Sequence, residues 1–322
     1  MSATPGPSME STGAPVRQPG RRAASAPPLC YARRPMYHVD PREGRFPTLT
    51  LADDEAESAA TLAPTRGGMI LAWSVAGRDL LYLDRATFED PAANVRGGVP
   101  VLFPSPGKLG GDTWSWGGVR GSMKQHGFAR NLPWEVLATG TEEGAWATLR
   151  LASNEVTRAQ YPWDFLTSYT YRLRGKTLAI EMQIENRSPT SMPFGVGFHP
   201  YFAVPDAEKA EVRIPTPATR AFDNRVKQEI SFSGFDLTAK EVDLHLGDHG
   251  SSRASLVRRD AEITLQGSPE LSRWVIWTLQ GKDFVCLEPW SCPGDALNSG
   301  EGLLVLAPGE TRAFSLLMTR TR

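Results

Sequence analysis

The chain has 322 residues, 40% of them hydrophobic, which is enough to build the core of one large domain or of two smaller ones. Its 35 Lys and Arg residues nearly balance its 36 Asp and Glu residues, so there is no overall positive charge to attract nucleic acid or an anionic membrane. No apolar run approaches the roughly 20 residues that a membrane-spanning helix needs. These features predict a globular protein that binds neither nucleic acid nor a membrane.

The three cysteines, Cys30, Cys286 and Cys292, are sparse and odd in number. Such a count argues against a disulfide framework and favours a reducing, cytoplasmic environment. Their spacing lacks the CxxC pairs of a zinc site, and the five histidines show no ligand spacing either. We therefore predict free, buried thiols, a cytoplasmic protein and no metal ion.

Residues 1–35 differ in composition from the rest of the chain, because they are rich in Pro, Ser, Ala and Gly and poor in large apolar residues. Such a segment buries too little apolar surface to offset the entropy lost on ordering. It also lacks the continuous apolar stretch of a signal peptide. We predict a disordered leader at 1–35 that is dispensable for chemistry, followed by a single domain at 36–322.

From about residue 45 the hydrophobic pattern has mostly a period of two, which is typical of strands with one buried face. The alternation is clearest at 144–153 and 177–186, where apolar and polar residues take turns. In chain order, strands are predicted at 68–75, 80–84, 144–153, 166–173, 177–186, 262–266, 274–279, 284–288, 302–306 and 312–319.

Clusters of Gly, Pro, Asn and Asp separate these strands and are typical of hairpin turns. The segment 117–121 (GGVRG) is also predicted to be a hairpin loop, since no helix follows it as in a phosphate-binding loop. No segment predicts an amphipathic helix longer than two turns. Many closely spaced strands, with 30 Gly and 26 Pro, predict an all-β protein that forms a large antiparallel sandwich.

Three separated motifs carry acidic, basic and polar side chains next to these strands. The first joins 96–100 (RGGVP) to 124–130 (KQHGFAR), the second is 197–202 (GFHPYF), and the third is 286–290 (CLEPW). Each follows an apolar run, where a rigid sheet can hold a reactive side chain. Together and in this order they resemble the aldose 1-epimerase (galactose mutarotase-like) superfamily, and most of all its hexose-6-phosphate 1-epimerase branch. The resemblance covers about residues 36–319.

The resemblance implies a galactose mutarotase-like β-supersandwich and an isomerase that interconverts the α and β anomers of a hexose. In this reaction the C1 hydroxyl loses a proton and the ring oxygen gains one, so that the ring opens and closes again on its other face. The chemistry requires an acid and a base, which we expect on opposite sides of the hemiacetal, and neither a cofactor nor a metal.

The resemblance assigns the general base to Glu288 and the general acid to His199. Glu288 follows the apolar run 284–287, and we expect Pro289 to end the strand there. A carboxylate and an imidazole suit the two tasks, because burial and neighbouring charges can bring both pKa values towards neutrality. Neither residue type is specific by itself, since an isolated Glu or His is more often an ordinary ion-pair or core residue.

The resemblance also implies a set of substrate-binding residues. Gln125 can both donate to and accept from vicinal hydroxyls, and His126 can orient the ring oxygen or share in the proton transfer. The arginines can hold oxyanions through two hydrogen bonds at once. An indole can stack on the apolar face of a hexose, a role that Trp290 suits better than Trp114, Trp116 and Trp134. The predicted set is Arg96, Gln125, His126, Arg130, Asp243 and Trp290.

For the sugar-binding aspartate, spacing alone leaves two candidates, Asp243 and Asp248, the second of which precedes His249. We favour Asp243, and we expect His245 and His249 to lie at the surface.

The predicted ligand is a small-molecule sugar or sugar phosphate, and the protein is expected to be a monomer or homodimer. Arg96 and Arg130 favour a hexose 6-phosphate, since two or more cations hold a phosphate dianion best. The segments 199–202 and 293–298 instead resemble members that act on free aldoses, so both substrates stay open. The alternative function is a non-catalytic carbohydrate-binding or regulatory sandwich, which would have no reason to retain both His199 and Glu288.

Overall fold

The structure of the protein is a computed structural model that describes residues 36–322, together with residues 1–4, 6 and 13. Most of the predicted leader, including Cys30, therefore lies outside the described residues. None of the described helices is long and apolar enough to cross a membrane.

Strands follow one another along residues 36–322 with only short helical turns between them. The strands are β1 (Tyr37–Arg42), β2 (Thr48–Asp53), β3 (Ser58–Ala63), β4 (Met69–Val75), β5 (Arg78–Asp79), β6 (Val101–Leu102), β7 (Thr113–Trp116), β8 (Val119–Ser122), β9 (Glu135–Gly140), β10 (Ala145–Ala152), β11 (Phe165–Arg174), β12 (Thr177–Asn186), β13 (Met192–Phe194), β14 (Gly197–Phe198), β15 (Tyr201–Ala203), β16 (Arg220–Asp223), β17 (Gln228–Ser231), β18 (Glu241–Leu246), β19 (Arg253–Val257), β20 (Glu262–Gly267), β21 (Arg273–Leu279), β22 (Phe284–Trp290), β23 (Leu304–Leu306) and β24 (Thr311–Arg320).

Within the described residues no helical element is longer than about two turns, as the sequence predicts. They are α1 (Arg85–Glu89), α2 (Glu155–Arg158), α3 (Ala296–Ser299) and the 3₁₀ turns Gly110–Asp112, Ala129–Asn131 and Asp206–Glu211.

The strands form three large sheets, and every strand pair within them is antiparallel. The first sheet has the order β1-β2-β3-β4-β5 and the second the order β19-β20-β24-β12-β11-β10-β9. The third has the order β17-β16-β18-β21-β22-β14-β6, with β15 paired to β22. Two small ribbons, β7-β8 and β13-β23, complete the described fold. The predicted hairpin is observed, but its loop is only residues 117–118, because the rest of the segment 117–121 belongs to β8. The predicted antiparallel all-β class is confirmed.

The predicted strand at 80–84 is wrong. Only isolated bridges form there, from Leu81 to Phe202 and from Leu83 to Gly97. The segment alternates because it passes from one partner to another. The Leu80 amide donates a hydrogen bond to the Trp73 carbonyl, and the bridge that follows is to a different part of the chain. A period of two reports alternating burial and does not by itself establish a continuous ladder.

The seven-stranded sheet has one buried and one largely exposed face, as its alternation predicts. In β12 the side chains that point to the core are buried, whereas Glu181 and Gln183 between them are exposed. The buried face packs against the eight-stranded sheet, where the rings of Tyr169 in β11 and Phe198 in β14 lie 6.1 Å apart. The main core therefore lies between these two sheets.

The eight-stranded sheet is unusual because its central strand, β22, is buried along its whole length. Val285 and Leu287 point into the main core, so the residues that alternate with them point to the opposite face. We call this opposite face the site face. In β22 it carries Phe284, Cys286, Glu288 and Trp290.

The strand β22 continues past Pro289, so the prediction that this proline ends the strand is wrong. On the β21 side, Val275 pairs with Glu288 and Trp274 pairs with Pro289. On the other side β22 pairs at Cys286 with β15 and at Trp290 with β14, with no ladder pair between these points. Proline has no backbone N–H to donate, and it is tolerated in this gap because no ladder pair forms there. Glu288 consequently sits inside a three-stranded segment, which fixes its backbone.

Candidate active site

The centre of the candidate site is a direct contact between His199 and Glu288. His199 lies between β14 and β15, where its amide donates a hydrogen bond of 3.1 Å to the Pro100 carbonyl. Its Nε2 lies 3.4 Å from Oε1 of Glu288, and the two side chains are 9% and 1% exposed. No sugar atom fits between groups this close, so the expectation of an acid and a base on opposite sides of the hemiacetal is wrong. A substrate must approach both from the same side.

Trp290 orients the Glu288 carboxylate. Its indole N–H donates a hydrogen bond of 3.1 Å to Oε2, which leaves Oε1 directed at His199. The ring is itself almost fully buried and is flanked by the rings of His126 and His245, with centroids at 5.9 and 5.2 Å. The contact observed for Trp290 is thus with the carboxylate, and its stacking on a sugar stays a prediction.

The other three candidate tryptophans do not contact the carboxylate as Trp290 does, but belong to the main core or its edge. Trp114 and Trp134 are buried in the main core, and Trp116 is partly buried against it on the hairpin of β7 and β8.

The imidazole of His199 is held by aromatic neighbours rather than by hydrogen bonds. It stacks on Tyr201 with centroids 4.6 Å apart and an interplanar angle of 9°, and Trp277 meets it edge-on at 5.8 Å. Its Nδ1 is buried and has no hydrogen-bond partner within residues 36–322. Since buried polar atoms are normally paired, such a nitrogen is available to an oxygen of a bound molecule.

His126 is brought to the site by a left-handed turn. Its φ is 71°, as is that of Gly127, where a Cβ would clash with the Phe103 carbonyl. The turn places the His126 ring 5.5 Å from that of His199.

The protonation of His126 follows from its contacts. Its Nδ1 contacts the Pro106 carbonyl, so the ring proton is assigned to Nδ1, and Nε2 then accepts from the Gln125 amide at 3.1 Å. Burial, with the charge of Arg130 adding to it, lowers the pKa of His126 to about 3. A neutral imidazole whose Nε2 electron pair is taken by the Gln125 amide has no proton to give at that nitrogen, and it fixes the orientation of the Gln125 side chain. His126 therefore suits a positioning role in substrate binding better than acid catalysis.

Arg130 and Arg96 both lie close enough to the site for their charges to act on His199 and Tyr201. Arg130 is partly buried, donates 3.1 Å to the Gln125 carbonyl, and has a buried Nε with no partner among the described residues. Arg96 is exposed, and its backbone is fixed by hydrogen bonds with Asp84 and Thr87. Within residues 36–322 neither guanidinium pairs with a carboxylate. Both are free to bind an anion.

The charges of the two arginines reach the Tyr201 hydroxyl and His199. Burial raises the pKa of Tyr201, with Cys286 and Glu288 adding to the rise, and Arg96 and Arg130 oppose it. The same two cations, after burial and His126, contribute to lowering the pKa of His199.

Of the two competing aspartates, Asp243 is the one that lies near Glu288. It occupies the site face of β18, where its Oδ2 accepts 2.7 Å from the Asn224 amide and its Oδ1 lies 3.2 Å from Nε2 of His245. The Asp243 side chain is 19% exposed, so two anchoring contacts still leave it accessible. Its role in binding sugar stays a prediction.

Asp248 has a structural environment. Its Oδ2 accepts three hydrogen bonds of 3.1 Å from Thr219 and Arg220, which fixes the loop before β16. The Asp248 carboxylate therefore has a structural task in this loop, although its spacing in the sequence also made it a candidate for binding sugar.

The expectation that His245 and His249 lie at the surface is wrong, because both are buried. His249 bridges two loops, with Nδ1 at 2.7 Å from the Thr216 hydroxyl and Nε2 at 2.8 Å from the Arg253 carbonyl. His245 belongs to the candidate site, and sequence reasoning missed both it and Asn224. The available signal for His245 was the alternation of β18, which places it on the same face as Asp243.

The pKa values of the central pair move in opposite directions. Burial raises the pKa of Glu288 well above its usual value, and the charge of Asp243 adds to this, whereas the Trp290 hydrogen bond and Arg130 oppose it. Burial lowers the pKa of His199 well below its usual value, because the imidazolium also loses its hydration. The site thus favours the uncharged forms of both side chains. When they are charged, the Glu288 carboxylate is a stronger base than usual and the His199 imidazolium is a stronger acid than usual.

The two described cysteines, Cys286 and Cys292, are free and buried, as predicted. Cys286 lies on the site face beside Glu288, and burial raises the pKa of its thiol well above the usual value. Its Sγ, a ring nitrogen of His199 and a carboxylate oxygen of Glu288 lie within 4.8 Å of one another. The sequence showed no metal-ligand spacing because His199 comes from a different segment from Cys286 and Glu288, which share β22.

Comparison with known proteins agrees with this geometry. The family model of the aldose 1-epimerases matches residues 47–319. The chain belongs to the aldose 1-epimerase family. The resemblance inferred from the three motifs is thereby confirmed.

Solved structures confirm the fold of this aldose 1-epimerase family member. The Slr1438 protein of Synechocystis sp. PCC 6803 is 38% identical, with a TM-score of 0.83 over 88% of this chain and 99% of that one. A galactose mutarotase-like protein of Clostridium acetobutylicum, at 17% identity, has a TM-score of 0.75 over 89% of this chain and 99% of its own. The predicted galactose mutarotase-like sandwich is correct.

Curated relatives support the predicted branch of the family. Proteins named "Putative glucose-6-phosphate 1-epimerase" match from Salmonella typhimurium and Cenchrus ciliaris. The first is 31% identical over 149 residues, 46% of each chain, and the second is 27% identical over 278 residues, 76% of each. The chain thus matches about half the length of the Salmonella protein.

Proposed function

We propose that this protein is a mutarotase that interconverts the α and β anomers of a hexose, with a hexose 6-phosphate as its preferred substrate. The observation that carries the proposal is the buried contact of 3.4 Å between His199 and Glu288 on the site face. An acid and a base within hydrogen-bond reach of one another can serve the two oxygens of a hemiacetal, because both oxygens are bonded to the same carbon.

In the proposed ring opening, Glu288 takes the proton of the C1 hydroxyl and the imidazolium of His199 gives its proton to the ring oxygen. The bond between C1 and the ring oxygen breaks and an aldehyde forms. After rotation about C1–C2, the oxygen attacks the other face of the aldehyde, and both protons return. The pair holds one proton before and after the cycle, so no other proton donor or acceptor is consumed.

The shifted pKa values favour this direction of transfer. Because burial destabilises both the carboxylate and the imidazolium, the charged pair gains free energy when ring opening neutralises both partners. The buried Nδ1 of His199 supplies a second point that an oxygen of the substrate can occupy.

The preference for a phosphate ester rests on Arg96 and Arg130. A guanidinium matches the geometry of a phosphate, and neither of these two is neutralised by a carboxylate among the described residues. Asp243 and Gln125, which border the buried pair, are suited to the sugar hydroxyls. A charged sugar ester and free thiols both fit a cytoplasmic location.

The test is anomer interconversion followed by NMR exchange on glucose, galactose and glucose 6-phosphate, scored as the excess over spontaneous mutarotation. We expect acceleration chiefly of glucose 6-phosphate. Glu288→Gln should lower kcat by about 100-fold or more, the scale of a lost general base. Glu301→Gln, which alters an exposed Glu paired with Arg273, is the matched control and should leave the rate unchanged.

Two outcomes would contradict the proposal. Full activity of a folded Glu288→Gln variant would remove that residue from the mechanism. Binding of sugars without acceleration of any of the three would favour the non-catalytic carbohydrate-binding sandwich instead.

A further inference from the structure

Three side chains of different chemistry converge at the floor of the candidate site. His199 comes from the segment between β14 and β15, and Cys286 and Glu288 come from alternate positions of β22. Their donor atoms lie within 4.8 Å of one another, and all three residues are buried. We propose that this trio is a binding site for a thiophilic divalent cation such as Zn²⁺, and that the bound ion inhibits the enzyme. The inhibitory part rests on the proposed function, whereas the binding does not.

The separation of two of the donors already suits a metal ion. Nitrogen and oxygen ligands lie about 2.0–2.1 Å from Zn²⁺, so across a tetrahedral angle they are roughly 3.4 Å apart. The observed distance from Nε2 of His199 to Oε1 of Glu288 is 3.4 Å. The imidazole and the carboxylate therefore need little movement to share one ion.

The thiol of Cys286 completes the set with a modest shift. A sulfur ligand at about 2.3 Å from the ion lies roughly 3.6 Å from its neighbours in a tetrahedron. In the structure the three donor atoms lie within 4.8 Å of one another, so a change in the side-chain torsion of Cys286 supplies most of the shortening that is needed. Cys286 precedes Glu288 by two residues on the same strand, and its backbone pairs with Tyr201 and Trp277, so both ligands stay on one face.

The surroundings orient the ligands as outer partners do in metal sites. Trp290 donates to Oε2 of Glu288 and leaves Oε1 free to bind. The ring of His199 is held in its plane by the stack on Tyr201. Three protein ligands leave a fourth position for water.

The donor set selects the type of ion. Thiolate and imidazole prefer Zn²⁺ and Co²⁺, whereas Mg²⁺ and Ca²⁺ prefer sets made only of oxygen. On binding, the S–H bond of Cys286 breaks and the one proton held by His199 and Glu288 is also lost, so that two protons go to solvent and the thiolate, imidazole and carboxylate electron pairs bind the metal without any change of oxidation state. The ion also occupies the Glu288 oxygen and the His199 nitrogen, so neither can move a proton and sugar turnover stops.

The experiment titrates the full chain with Co²⁺ and records the near-ultraviolet charge-transfer absorption of a thiolate–cobalt bond. Cys292→Ser and Cys30→Ser are the matched controls, since each removes another thiol and leaves the trio intact. We expect one Co²⁺ per chain, with this absorption, in the unaltered protein and in both controls. Cys286→Ser should lose the absorption and bind at least about tenfold more weakly. His199→Asn is the second variant and should also bind more weakly.

The activity assay is a second readout. Micromolar Zn²⁺ should inhibit the unaltered protein and both controls, and EDTA should restore the rate, whereas Mg²⁺ should have no effect. The rate of Cys286→Ser, compared with its own metal-free rate, should resist Zn²⁺. Absence of the thiolate–cobalt absorption in the unaltered protein would overturn the proposal, as would equal inhibition of Cys286→Ser. If no sugar is turned over, the cobalt spectrum still decides the binding, so failure of the proposed function is a separate result.

Discussion

The indole N–H of Trp290 donates a hydrogen bond of 3.1 Å to Oε2 of Glu288, two positions earlier on the same face of β22. One carboxylate oxygen is thereby occupied, and the other lies 3.4 Å from Nε2 of His199. The alternation of a single strand thus provides both the proposed base and the group that orients it. This relationship gives Trp290 a function that does not require contact with a sugar.

Trp290→Phe keeps an aromatic ring in place but removes the N–H. Because the Trp290 hydrogen bond lowers the pKa of Glu288, its loss should raise that pKa further. A base must be ionised, so the acidic limb of the pH–kcat profile should move to higher pH, with kcat at neutral pH falling by about tenfold. The measurement is kcat and KM across pH, with Trp116→Phe on the β7–β8 hairpin as the control. An unshifted acidic limb would show that the hydrogen bond does not tune the base.

Glu288→Gln should stabilise the protein at neutral pH while it removes activity. The folded pKa of Glu288 lies above its unfolded value of 4.5, so the native state binds more protons and folding stability falls as pH rises through this interval. Glutamine cannot ionise and avoids this loss. The free energy of unfolding of the variant should therefore match that of the parent below about pH 4, exceed it increasingly as the pH rises from there, and stop gaining once the pH passes the folded pKa of Glu288.

Denaturant unfolding at several pH values measures this difference. Glu301→Gln, at an exposed ion pair with Arg273, should show no gain that grows with pH. A gain for Glu288→Gln that is the same at every pH would mean that the effect arises from packing rather than from ionisation.

The strands that sequence analysis predicted best are those with two unlike faces. The strand predicted at 177–186 is observed as Thr177–Asn186, and that at 166–173 as Phe165–Arg174. β9 was missed because five of its six residues are exposed, so burial leaves no alternation in its sequence. Periodicity detects a strand only where the sheet divides core from solvent.

Several residues that meet at the candidate site could be named from the sequence, whereas His245, Asn224 and the arrangement of the site could not. Each motif could be found in a contiguous stretch, whereas the choice between Asp243 and Asp248 depends on the register of three strands. Val275 of β21 pairs with both His245 and Glu288, which brings β18 to the pair. That register, and with it the position of Asn224, is a property of the folded sheet that a single sequence does not display.

Arg130→Gln and Arg96→Gln should separate phosphate recognition from catalysis. Each variant removes a cation that no carboxylate of the described chain neutralises, so KM for glucose 6-phosphate should rise by about tenfold or more, the scale of a charged hydrogen bond. KM for free glucose should change little. Steady-state kinetics on both sugars measure the ratio.

Arg150→Gln is the matched control for these arginines, because Arg150 is paired with Glu135 on the exposed face of the seven-stranded sheet. It should leave both substrates unaffected. Equal losses on phosphorylated and free hexose in the Arg130 variant would assign that guanidinium to the structure of the turn.

Asp243→Asn should change the kinetics, whereas Asp248→Ala should change the stability of the fold. The charge of Asp243 raises the pKa of Glu288, so its removal should move the acidic limb of the pH–kcat profile to lower pH, opposite to Trp290→Phe. KM should rise as well, since the variant weakens an acceptor for the sugar hydroxyls. Asp248→Ala should instead lower the free energy of unfolding by about 0.5–1.5 kcal/mol, because it removes the acceptor of the exposed amides of Thr219 and Arg220, with kcat unchanged. Kinetics and denaturant unfolding on the two variants, side by side, decide the assignment. A kinetic defect confined to the Asp248 variant would reverse it.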